Sequence, residues 1–82
     1  MQIDVGKQPL KYLCNCEEKI FIKLLSAIGD LETLKGDIVK LQGRKDEYRL
    51  KLPPYRIIFK YDKIKKIIII TKIDTRGDAY KS

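Results

Sequence analysis

The sequence predicts an α+β fold: an N-terminal strand and a helical hairpin packed on a small antiparallel β-sheet. Three observations predict it. Apolar residues recur at helical spacing between positions 20 and 34. From position 48 the spacing drops to two, with apolar residues alternating with charged ones. The stretch 67–73 is then almost continuously apolar and β-branched, as in a central strand covered on both faces.

The elements follow in order. Gln2, Ile3, Asp4 and Val5 alternate polar with apolar residues and read as a short first strand. Pro9 suits the first turn of a short helix reaching about Asn15, with Leu10 and Leu13 as its buried contacts. Residues 15–18, NCEE, resemble a capping box that opens a second helix with two acids in its first turn. Ile20, Leu24, Ala27, Ile28, Leu31 and Leu34 then fall on one buried face, which Phe21 and Leu25 widen. That stripe is core. Gly29 is a weak point inside the helix, and Gly36 follows its end.

Tyr48, Leu50 and Leu52 alternate with Arg49 and Lys51, and Tyr55, Ile57, Phe59 and Tyr61 alternate with Arg56, Ile58 and Lys60. Pro53-Pro54 and residues 62–66 separate these strands from each other and from 67–73. The whole chain, 1–82, is expected to form a single domain.

Composition narrows the function classes. At 44% hydrophobic and 35% charged, the chain suits a soluble globular protein rather than a disordered one. No apolar run approaches the roughly 20 residues needed to cross a bilayer, and the N-terminus lacks the apolar core of a signal peptide. A cytoplasmic location without membrane partners is expected. Histidine is absent, which excludes imidazole general-base catalysis, catalytic triads and His-containing zinc sites. Cys14 and Cys16 form C-x-C; on a helix they would point to different sides, so they read as reduced, partly buried thiols. No metal and no cofactor are expected.

The net charge is +7 and lies wholly in the second half. Residues 1–41 hold six lysines against six acids, whereas 42–82 hold twelve cations against five acids. Such polarity makes a directional positive field suited to a polyanion.

The strand pattern gives a register. If Pro53-Pro54 is the whole connection, Leu52 opposes Tyr55, Lys51 opposes Arg56, Leu50 opposes Ile57 and Tyr48 opposes Phe59. Tyr48, Leu50, Leu52, Tyr55, Ile57 and Phe59 then share one side. Proline cannot take the positive φ of a tight primed hairpin, so the turn is either wider or holds a cis bond at Pro54. The other side collects Arg49, Lys51, Arg56 and Lys60, which Lys72 joins from the last strand. Like charges placed opposite one another cost up to roughly 1 kcal/mol per pair. A cluster of cations without carboxylates implies that the compensating charge arrives with a ligand, and phosphate fits best.

The stretch 40–81 resembles the RelE/ParE superfamily of type II toxin–antitoxin systems. The resemblance rests on Leu41-Gln42-Gly43, "EYRLKL", "YRIIF", "KIIIITKI" and the closing "TRGDAY", in family order after a strand and two helices. Two places depart from the family pattern: Pro53-Pro54 replaces a turn with Gly and Asp, and Thr75 stands where relatives often carry His or a basic residue.

The RelE-like branch implies ribosome-dependent, metal-independent cleavage of mRNA. On that resemblance Arg49, Lys51, Arg56, Arg76 and Tyr80 are the catalytic set. Arg44, Lys45, Lys60, Lys63, Lys65, Lys66, Lys72 and Lys81 are assigned to RNA and ribosome contact. Such cleavage needs the 2′-hydroxyl deprotonated, the phosphate charge stabilised and the leaving 5′-oxygen protonated. Arg56 and Arg76 suit the phosphate, because guanidinium is planar and always charged. Lys51, set among cations, and Tyr80 are the proton-transfer candidates; which is acid and which is base stays open.

Two other readings share this surface, a ParE-like inhibitor of DNA gyrase and a catalytically weak RNA- or ribosome-binding module. A cognate acidic antitoxin is the expected partner beside ribosome and mRNA. With only Lys81 and Ser82 after Tyr80, no further helix is expected over the open sheet face. Ile58, Ile68 and Ile70 are placed there among the cations, where an amphipathic antitoxin helix would dock.

Overall fold

A computed structural model of the chain describes residues 1–75. Strand β1 (Gln2–Val5) leads into helices α1 (Lys7–Asn15) and α2 (Glu18–Asp30), and a short 3-10 turn, Leu31–Thr33, closes the second helix. Four strands follow: β2 (Asp37–Lys40), β3 (Glu47–Leu52), β4 (Tyr55–Asp62) and β5 (Ile67–Thr75). They form one five-stranded sheet in the order β1-β5-β4-β3-β2. The α+β architecture is the expected one. The antiparallel sheet spans β2 to β5, and β1 adds to its edge parallel to β5.

The β3–β4 hairpin has the anticipated register, with Leu52 opposite Tyr55, Lys51 opposite Arg56, Leu50 opposite Ile57 and Tyr48 opposite Phe59. Its two-residue connection contains a cis Pro53-Pro54 peptide bond. Alternation then sends Leu50, Tyr55, Ile57 and Phe59 to one face, where they are buried with Leu13, Leu24, Ile28 and Leu31 of the helical layer. The rings of Tyr48 and Phe59 stack there with centroids 5.6 Å apart.

The helices depart from expectation in detail. Leu24, Ile28 and Leu31 are the inward face, while Phe21, Leu25 and Leu34 are exposed, as is Leu10 on α1. One helix of a two-layer domain meets the sheet along a narrow stripe, so residues flanking that stripe stay in solvent. No capping box forms. Asn15 is the last residue of α1, and its amide donates to the Lys11 carbonyl. Glu17 is the N-cap of α2 and makes no side-chain cap bond. Cys14 is exposed rather than partly buried; Cys16 is partly buried, with its thiol against the Leu13 carbonyl at 3.3 Å.

Strand β2 was not expected from the sequence. Ile38 and Val39 are its only apolar residues, too few to show a period. It is reached through Leu34 in the left-handed region and Gly36 at φ +117°, where a Cβ would lie 2.7 Å from a Leu50 methyl. Only glycine fits there without displacing the core.

Strand β5 carries the feature that sets the working surface. Phe59 pairs with Ile70 but Ile58 pairs with Lys72, so Thr71 is a bulge residue. Its hydroxyl donates to the Ile58 carbonyl at 3.1 Å. One extra residue reverses the side-chain alternation beyond it. Ile68, Ile70 and Ile73 therefore all point into the core and are fully buried. Simple alternation put Ile68 and Ile70 on the open face; that placement is wrong, and Ile67 and Ile69 lie there instead. The strand is also less covered than its composition implied, since Ile69 is 41% exposed.

Candidate basic site on the open sheet face

The face opposite the helices is organised in cross-strand rows. One row runs Asp37, Lys51, Arg56, Asp74 across β2, β3, β4 and β5. The next runs Val39, Arg49, Ile58, Lys72. A third runs Glu47, Lys60, Ile69, Asp4 from β3 to β1. Neighbouring rows are about 7 Å apart and neighbouring strands about 5 Å apart. Arg49, Lys51, Arg56 and Lys72 thus occupy adjacent positions in two rows. Lys60 belongs to the third, opposite Glu47.

The cluster is not free of carboxylates. Arg56 Nε donates to Asp74 Oδ1 at 3.0 Å, and Lys72 Nζ lies 3.6 Å from Asp74 Oδ2. Lys51 has Asp37 as its register neighbour on one side and Arg56 on the other, so it is not set among cations alone. The bulge at Thr71 explains Asp74: by turning Lys72 and Asp74 to the open face, it delivers an acid and a base together. Sequence reasoning counted the cations and passed over Asp74. Its alternation with Lys72 was the available signal.

Arg49 stands apart. Its Nε is buried and has no hydrogen-bond partner among the described residues. Its strand neighbours in the row are Val39 and Ile58, neither of which offers a side-chain acceptor. A buried donor left unpaired costs about 1–3 kcal/mol. Lys51, Lys60 and Lys72 are exposed, while Arg49 and Arg56 are half-buried, so the lysines ring two seated guanidinium groups.

The other basic residues gather at one end of the sheet. Arg44 and Lys45 lie in the loop 41–46, and Lys63, Lys65 and Lys66 lie in the turn between β4 and β5. A hydrogen bond of 2.9 Å from the Tyr61 N–H to the Asp46 carbonyl ties the loop 41–46 to the end of β4 that leads into that turn. Arg44 Nη1 is 3.6 Å from Glu47 Oε1. The turn is organised by Asp62, whose Oδ1 accepts the N–H groups of Ile64 and Lys65 at 3.0 Å each. Arg76, Tyr80 and Lys81 lie outside the described residues.

Fold and site define a small α+β domain with one sheet face under helices and the other open and cationic. Neither a family model nor a curated protein sequence matches the chain. Solved structures do. One is a chain of the archaeal RelE–RelB complex from Pyrococcus horikoshii: 30% identity, 93% of this chain and 94% of that one covered, TM-score 0.77. A chain of the RelB–RelE antitoxin–toxin complex from Methanococcus jannaschii matches at 23% identity, with 94% of each chain covered and a TM-score of 0.75. The isolated RelE toxin of E. coli matches at 18% identity, over 98% of this chain and 95% of that one, with a TM-score of 0.74. The last two show the fold, and the isolated toxin identifies the matching component as RelE. Identity of 30% over nearly all of both chains shows more. The chain belongs to the RelE family of toxins from type II toxin–antitoxin systems.

Proposed function

We propose that the protein is a metal-independent endoribonuclease that cuts mRNA on the ribosome and so stops translation in the cytoplasm. The observation that carries this reading is Arg49, a half-buried guanidinium whose Nε lacks an acceptor among the described residues, beside Lys51 and Arg56 on the sheet face opposite the helices. A guanidinium held in place beside two further cations is a preformed seat for a phosphodiester. Arg49 and Arg56 take the phosphate charge, joined by Arg76. Lys51 and Tyr80 supply proton transfer to and from the 2′- and 5′-oxygens. Arg44, Lys45, Lys60, Lys63, Lys65, Lys66, Lys72 and Lys81 hold the RNA and ribosome through charge.

RelE is found with the antitoxin RelB in several solved complexes, which supports an antitoxin partner here. An acidic antitoxin fits this face, where Ile58 lies between Arg56 and Lys60 on β4 and opposite Arg49, and Ile69 lies opposite Lys60. An amphipathic helix with acids along its edge would cover the apolar strip and neutralise the cations.

Induced expression without a partner tests the reading. The expected outcome is arrested translation with new cuts in ribosome-bound mRNA. Growth arrest with intact mRNA and a DNA-damage response would sink it in favour of gyrase inhibition. Slowed translation with uncut mRNA would reduce the protein to a binding module.

A further inference from the structure

We propose that Asp74 is a positioning residue: it grips Arg56 by Nε so that the far edge of the guanidinium is presented to the RNA phosphate. The inference rests on the RNA-cleavage reading and adds a residue to its site. Arg56 and Asp74 face each other across β4 and β5, joined by the 3.0 Å bond from Nε to Oδ1. The Asp74 side chain is only 17% exposed, against 34% for Arg56, so the carboxylate is the more deeply seated of the two. Arginine has five N–H donors in a rigid fork. Asp74 takes the single donor at Nε, which among the described residues leaves the four at Nη1 and Nη2 for a bidentate hold on phosphate.

Holding one edge removes rotamer freedom from a long side chain before substrate arrives, so less is lost on binding. Lys72, 3.6 Å from Asp74 Oδ2, shares the carboxylate and offsets its charge near an incoming anion. The arrangement depends on the bulge at Thr71, which turns Asp74 to the same face as Arg56. Asp74 therefore acts through Arg56 and does not touch the RNA.

The test is a double-mutant cycle between Arg56→Ala and three changes at Asp74. Asp74→Asn keeps an oxygen acceptor without the charge; Asp74→Ala removes the acceptor, and the strand-forming Asp74→Thr leaves only a neutral hydroxyl on Cβ, one bond short of the carboxylate oxygen that meets Arg56 Nε. Two readouts are taken on each folded variant: the rate of mRNA cutting on ribosomes, and affinity for single-stranded DNA, which has phosphates but no 2′-hydroxyl to cut. Asp74→Ala and Asp74→Thr are expected to cut about tenfold more slowly while binding the oligonucleotide at least as tightly, because a negative charge is gone. Asp74→Asn should keep cutting within about threefold of the unmutated protein. In the Asp74→Thr background, Arg56→Ala should cost under about twofold rather than about tenfold.

Additive effects of the two substitutions would overturn the inference, and so would faster cutting by Asp74→Asn, the mark of a mask rather than a support. If Asp74→Ala does not fold, Asp74→Thr and Asp74→Asn still decide. If the unmutated protein cuts no mRNA yet Arg56 and Asp74 remain coupled in oligonucleotide affinity, the nuclease reading fails and the positioning role stands. If it cuts and the cycle is additive, the nuclease reading stands and the positioning role fails.

Discussion

The side-chain amide of Gln8 and the peptide of Ile73 hold each other by two hydrogen bonds of 2.9 Å, across 65 positions of sequence. Strand β1 stops pairing with β5 at Ile70, where the Gly6 N–H makes the last backbone bond. Beyond that point the edge of β5 would be left with an N–H and a carbonyl unpaired. Gln8 Oε1 accepts the Ile73 N–H, and Nε2 donates to the Ile73 carbonyl, so one side chain stands in for a missing strand residue. This joint fixes the first turn of α1 to the stretch of β5 that presents Lys72 and Asp74.

Gln8→Ala is accordingly expected to destabilise the fold by about 1–3 kcal/mol, since two part-buried backbone groups lose their partner. Gln8→Glu should cost at least as much: it removes the donor and sets a carboxylate against a carbonyl. Thermal or urea unfolding of purified protein measures both. An unchanged midpoint for Gln8→Ala would mean that solvent replaces the amide at no cost.

Much of this was legible in the sequence where a single period governs a segment. The β3–β4 register followed from one constraint, that the apolar residues of the hairpin other than Ile58 share a face, and Pro53-Pro54 left little choice of connection length. Three things were not legible. The Gln8–Ile73 joint is a contact between distant residues and leaves no local pattern. Strand β2 has two apolar residues and draws its stability from pairing with β3, not from its own composition. The bulge at Thr71 hides in a run of isoleucines that is uniform on both sides of it. There alternation misplaced Ile68 and Ile70, and with them the account of the open face. The site was legible as a set of cations but not as a network, because Asp74 acquires its role only through that bulge.

Arg49 separates stability from function. Its Nε is a buried donor without an acceptor among the described residues, an arrangement that costs stability rather than adding to it. Arg49→Met keeps an apolar stem between Val39 and Ile58 and removes the guanidinium. We expect the unfolding midpoint to hold or rise, while mRNA cutting falls at least tenfold; 1.36 kcal/mol of lost transition-state stabilisation already gives that factor. A lower midpoint with normal cutting would make Arg49 a structural residue.

Arg56→Ala and Arg76→Ala should each lower cutting at least tenfold and leave the fold intact, as expected for guanidinium groups that carry phosphate charge. Arg56→Lys should recover little, because an ammonium cannot hold Asp74 through one edge and phosphate through the other. Circular dichroism of each variant checks the fold, and single-turnover cutting on ribosomes checks the role. Cutting at the unmutated rate in both alanine variants would remove these residues from the site.

The turn between β4 and β5 tests the electrostatic part of the reading by itself. Asp62 organises this turn through its bonds to the N–H groups of Ile64 and Lys65, and Ile64 at the tip is 94% exposed. Neither bond involves a lysine side chain, so Lys63→Ala with Lys65→Ala should leave the turn and the core unchanged. The two lysines are remote from Arg56 along β4, at the opposite end of the strand. Their loss should therefore weaken ribosome binding without slowing the cut once bound. Each phosphate contact released contributes about 0.7–0.9 to the slope of log affinity against log salt, so the double variant should flatten that slope by roughly 1.5. Binding measured from low to physiological salt reads this directly. A weaker affinity with an unchanged slope would show that the turn is recognised by shape. An unchanged affinity would take it out of the ribosome interface altogether.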